Sequence, residues 1–228
     1  MKHILLIVAI GFSYFLTAQK TDVESKLIEY GITSDALDHA MKDAGAVYSF
    51  NLKTTTESDG KTDIEESHFA PNQPVGSKWI LDSHNGNAPS KKQLKNFDKV
   101  HNTKVEGIDG KVDDTSWKIL TDDESIFTIS FSYDKSSLPK KYQFLGDCTG
   151  TAVFNKKTKS LEKVEFVNNV PLHIKFFNVS KLNMVVTYIK FDGKFVMETE
   201  TIDMTVDMLG QSITVKEKME YTNYKKVK

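Results

Sequence analysis

The sequence predicts a mainly β chain: a strongly curved antiparallel sheet, or incomplete β-barrel, with a few short helices covering its concave face. Three observations carry this. From residue 202 to 221 apolar residues (Ile202, Met204, Val206, Met208, then Ile213, Val215, Met219, Tyr221) alternate with Asp, Thr and Lys around a turn at Leu209-Gly210-Gln211-Ser212. Each arm reaches about ten residues where a typical strand has roughly five or six, which belongs to a large sheet that curls. Upstream, apolar parity shifts from odd (Phe195, Met197) to even by Ile202, the mark of a bulge that bends a strand.

Residues 1–19 read as a signal peptide, with Lys2 and His3 before the apolar run Ile4 to Leu16, then Thr17-Ala18-Gln19. A run of thirteen residues is short for a membrane span. A cut after Ala18 leaves Leu16 at the −3 place, and no Cys at the junction offers a lipid attachment point. Residues 20–228 then form one domain, a size ordinary for a β architecture. The expected location is the periplasm or the exterior.

Ser34 can cap a helix with Leu37, Ala40 and Met41 on one face and Gly45 as its stop. Tyr48, Phe50, Leu52 and Thr54 alternate with polar residues as the first strand, Asp59-Gly60 turns the chain, and Asp63 to Phe69 returns. Pro71, Pro74, Gly76, Asn85-Gly86 and Pro89 break the next stretch around a short strand, Trp79 to Leu81. Ser90 and Gln93 form a capping box for a helix with Leu94, Phe97 and Val100 on one stripe. That helix reads either as a lid or as a plain cover on the core.

Trp117, Ile119 and Leu120 hint at a short strand, and Phe127, Ile129, Phe131 and Tyr133 mark an aromatic one. Gly150 to Phe154 and Leu161 to Asn168 form a hairpin with Val164 and Phe166 inward. Pro171 opens a strand through Leu172 and Ile174, Met184, Val186 and Tyr188 continue the pattern, and Asp192-Gly193 turns it into Phe195 and Met197.

The formal net charge is −1, and all 30 basic residues are Lys. Without Arg there is no bidentate fork for phosphate or carboxylate, which argues against nucleic acid, nucleotides and acidic substrates. The single Cys, Cys148, has no internal disulfide partner and reads as a small buried residue. His39, His68, His84, His101 and His173 show no metal-ligand spacing, and the acid pairs Asp113-Asp114, Asp122-Asp123 and Glu65-Glu66 lie in or beside turns. There is no nucleophile elbow, P-loop or dinucleotide fingerprint, so no catalytic residue, metal or cofactor is assigned. Five of the seven methionines fall between Met184 and Met219. A Met-lined concavity accommodates irregular apolar guests such as acyl chains, while the plainer reading has those side chains filling a core.

The order of elements, together with the run Phe69-x-Pro71-x-x-Pro74-x-Gly76-x-x-Trp79-x-Leu81 and Asn85-Gly86-x-x-Pro89-Ser90, resembles the LolA/LolB-like half-barrel group of periplasmic lipoprotein carriers and lipid-sensing proteins, over roughly Ser34 to Tyr224. The resemblance implies an incomplete barrel around a cavity that takes acyl chains. By position, the cavity would be lined by Tyr48, Phe50, Phe127, Ile129, Phe131, Val164, Phe166, Met184, Val186, Met204, Val206, Met208, Ile213 and Val215, under a lid of Leu37, Met41, Leu94 and Phe97. The carriers hold their lid with an arginine that this chain lacks, a departure that bears on lipoprotein hand-over. The expected function is non-catalytic binding of a lipid or other hydrophobic ligand in the envelope. The alternative is a structural or protein-interaction module with a filled core; a hydrolase ranks third. Neither nucleic acid nor an integral membrane position is expected.

Overall fold

The computed structural model describes residues 19–33, 37, 47–102, 110–174, 177–208 and 210–227. The signal-peptide core, most of the helix expected after Ser34 and Met41 lie outside these residues.

Eleven strands form one antiparallel sheet that does not close into a barrel. They are β1 (Tyr48–Ser58), β2 (Lys61–Phe69), β3 (Trp79–His84), β4 (Lys118–Asp122), β5 (Ile126–Phe131), β6 (Cys148–Asn155), β7 (Ser160–Asn168), β8 (Leu172–Ile174), β9 (Phe177–Phe191), β10 (Lys194–Met208) and β11 (Gln211–Lys226). Their order across the sheet is β3-β2-β1-β11-β10-β9-β7-β6-β5-β4, with β8 added beside β9. Three Asx-Gly pairs take the left-handed conformations that a tight hairpin turn demands: Asp59-Gly60 joins β1 to β2, Asn85-Gly86 ends β3, and Asp192-Gly193 joins β9 to β10. The bulge expected before Ile202 lies between Met197 and Thr199. It shifts β10 by one residue and puts Glu200, Ile202, Met204 and Val206 on one face.

Two helices matter here. Residues 19–29 form α1, which the sequence reading did not assign, and Lys91–His101 forms α2. In α1, Val23 and Leu27 lie one turn apart and are buried at 0% and 1% exposure against the aromatic end of the sheet. Tyr30, just beyond α1, meets Phe127 edge-on at 5.4 Å and donates its hydroxyl to Asp122 Oδ1 at 2.7 Å. Lys26 and Lys156 also pair with Asp122. Hydrogen bonds from Lys156 and Tyr30 hold that carboxyl below its ordinary range, so α1 is latched to the tip of β4. The capping box of α2 forms as expected: Gln93 N donates to Ser90 Oγ, and Ser90 N donates to Gln93 Oε1 at 2.8 Å.

The core lies between α1, the 3-10 segment Lys140–Asp147 and strands β5, β6, β7 and β9. Cys148 is buried there, and burial pushes its thiol up to about 11, as expected of an inert side chain. A second, aromatic cluster of Phe50, Phe69, Trp79, Tyr221 and Tyr224 holds the β1-β2-β3 end together. Among the described residues, no helix is long and apolar enough to cross a membrane.

Candidate functional site

Sheet register decides which side chains share a face. Val164 pairs with Val186, which opposes Glu200, which opposes Met219, which opposes Thr54 and then Glu65. Along the next row, Phe166 leads to Met184, Ile202, Glu217, Thr56 and Asp63. The positions expected to line the cavity therefore fall on one face, with Tyr48 at its far corner against Phe191 and Tyr224.

They do not share one environment. Phe127, Ile129, Phe131, Val164, Phe166 and Val186 are buried in the core under α1, and Leu37 joins them. Tyr48 and Phe50 are buried at the opposite end. Met184, Met204, Val206, Ile213 and Val215 are only half buried, and Met208 is exposed at the hairpin tip. With Ile202 and Met219 they form an apolar strip between two covered ends. As for the lid, Phe97 of α2 stacks on His101, which reaches Trp79 at the β3 edge, while Leu94 is 40% exposed.

Sequence reasoning missed the polar groups on the strip. Glu200 sits between Val186 and Met219, and its Oε2 accepts from the Tyr221 hydroxyl at 3.4 Å. Burial, reinforced by the charge of Glu217, pushes the Glu200 carboxyl up to about 7. Glu217 Oε2 accepts from Thr56 Oγ1 at 3.3 Å, and that carboxyl is also raised, by burial first and by Glu65. At the β3 edge His84 lies 3.1 Å from Asp63 and 3.4 Å from Glu65. The signal was available: Glu200 and Glu217 have the parity that the 202–221 hairpin gives its inward face.

No trio of His, Cys, Asp or Glu among the described residues could hold a metal ion. Asp113, Asp123 and Asp134 bind backbone N–H groups of their own turns, which accounts for them structurally. Clefts of about 590 and 470 Å³ meet at Glu220, and the larger also touches Ile202 and Glu217 of the strip. Their lining mixes Val185, Ile202 and Leu52 with Thr, Asn, Lys and carboxylates, and Lys218 pairs with Glu220 there at 2.8 Å.

No protein family and no curated protein matches the sequence. Among solved structures, the chain is similar to a DUF1329 family protein from Desulfovibrio piger, at 9% identity over 92% of each chain, with a TM-score of 0.36. These comparisons do not confirm the resemblance to lipoprotein carriers.

Proposed function

We propose that the chain is an exported, non-catalytic binding protein that takes a lipid or another apolar guest on the strip of Met184, Ile202, Met204, Val206, Ile213, Val215 and Met219. The observation that carries this is the partial burial of that strip, which packs along the margins of two core clusters without being enclosed by either. Flexible, polarisable methionines on an uncovered sheet suit an irregular hydrocarbon surface. Glu200 and Glu217 bring hydrogen-bond acceptors into this otherwise apolar strip. An envelope interaction module, the second reading, uses the same strip with a protein partner laid over it.

Native mass spectrometry of the protein purified without detergent, followed by organic extraction, tests the proposal. A co-purifying lipid-sized mass is expected. Met204→Trp and Val206→Trp should cut uptake of the neutral fluorophore N-phenyl-naphthylamine while the circular dichroism spectrum is kept. A clean apo mass with unchanged uptake in both variants would overturn the assignment.

A further inference from the structure

We infer that guest uptake by the strip is coupled to protonation of Glu200, so that the guest is held tightly when this carboxyl carries its proton and released when it does not. This rests on the binding function proposed above. Its basis is what surrounds the carboxyl. From β9 it meets Val186, with Tyr188 one step along the face and Tyr133 behind it. From β11 it meets Met219, the Tyr221 hydroxyl and the like charge of Glu217; beyond them, β1 and β2 contribute Thr54, Thr56 and Glu65. No lysine is among these groups, and His84 stands beyond Glu65 on β3.

A carboxylate at Glu200 is therefore held by one neutral hydrogen-bond donor and opposed by one neighbouring charge. Burial already raises its proton affinity. An apolar guest on Ile202, Met204 and Met219 deepens the burial of the carboxylate and supplies no counter-charge, which disfavours the ionised form further. By linkage, a guest that binds the protonated form better must draw a proton in from solvent when it binds above the carboxyl's own titration point. Glu217, raised for the same reasons, adds to the repulsion and not to its relief.

The test is the dissociation constant of N-phenyl-naphthylamine, which stays uncharged, from pH 5 to 9 for wild type and Glu200→Gln. Wild-type affinity should fall at least about tenfold between pH 6 and 9. Glu200→Gln should keep its low-pH affinity throughout. Calorimetry at pH 8 in buffers of different ionisation enthalpy should show proton uptake on binding to wild type and none to the variant. A flat wild-type profile, or an equal fall in Glu200→Gln, would overturn the coupling alone. Failure of the probe to bind at any pH would overturn the proposed function and the coupling with it.

Discussion

Strands β5–β7 and the hairpin β10–β11 alternate apolar and polar residues with the same period of two, yet Phe127, Ile129, Phe154 and Val164 are 0% exposed while Met204, Val206, Ile213 and Val215 remain half buried. The difference lies outside the strands. Val23 and Leu27 of α1, with Leu138 and Leu145, close over the first region. In the second, Met204 and Val206 pack against that same core while staying partly exposed, and Ile213 and Val215 belong to neither core cluster. Alternation thus specifies which face of a strand is apolar; whether that face becomes core depends on an element brought in from elsewhere in the chain.

Breaking the contrast is the experiment with the largest expected effect. Phe127→Ala should cost about 3–5 kcal/mol in urea unfolding, because the closed region cannot refill the cavity. Met204→Ala should cost about 1 kcal/mol or less, since its side chain already meets solvent. Equal costs would erase the distinction between filled and open regions.

A second measurement sharpens the contrast through pH. Glu200 is raised to about 7 in the fold from an ordinary 4.5, so between those values the native state holds a proton that the unfolded chain has released. Its contribution to stability therefore falls as pH rises through that window and stays low above it. Glu200→Gln should stabilise the protein at pH 8 by up to about 3 kcal/mol and change nothing at pH 4. A variant no more stable at pH 8 would mean that the strip is well hydrated.

The smallest effect concerns the other covered end. Ser90→Ala removes the α2 cap and should cost about 1 kcal/mol, felt locally. Hydrogen exchange should speed up in α2 and β3 while β5–β7 stay protected. Uniform acceleration would show that α2 supports the whole sheet and not its edge.

Much of this was legible in the sequence because it is local. The Asp59-Gly60 and Asp192-Gly193 turns, the Ser90 capping box, the parity shift ahead of Ile202 and the long terminal hairpin each follow from neighbouring residues. Helix α1 was not legible: only Val23 and Leu27 mark its inner face, Ile28 points outward at 68% exposure, and the stretch follows directly on an apparent export signal. The division of one apolar face into core and strip was not legible either, because it depends on where α1 lands. Glu200 and Glu217 were half legible. Parity put them inward, but their grouping with Glu65 requires the pairing of β1 with β11, which joins opposite ends of the chain.

That pairing also orders assembly. From β4 to β11 the sheet is a meander in which, β8 aside, each strand lies beside its predecessor, so its contacts can form one hairpin at a time. In strand pairing, β1, β2 and β3 are attached to the rest of the sheet through β11, with Ser58 opposite Val215 and Tyr48 opposite Lys226. Closing a loop that spans most of the chain carries an entropic cost that hairpin-by-hairpin growth does not. Until β11 is available, Phe50, Phe69 and Trp79 wait without Tyr221 and Tyr224, and a chain cut short within β11 loses the attachment of three strands at once.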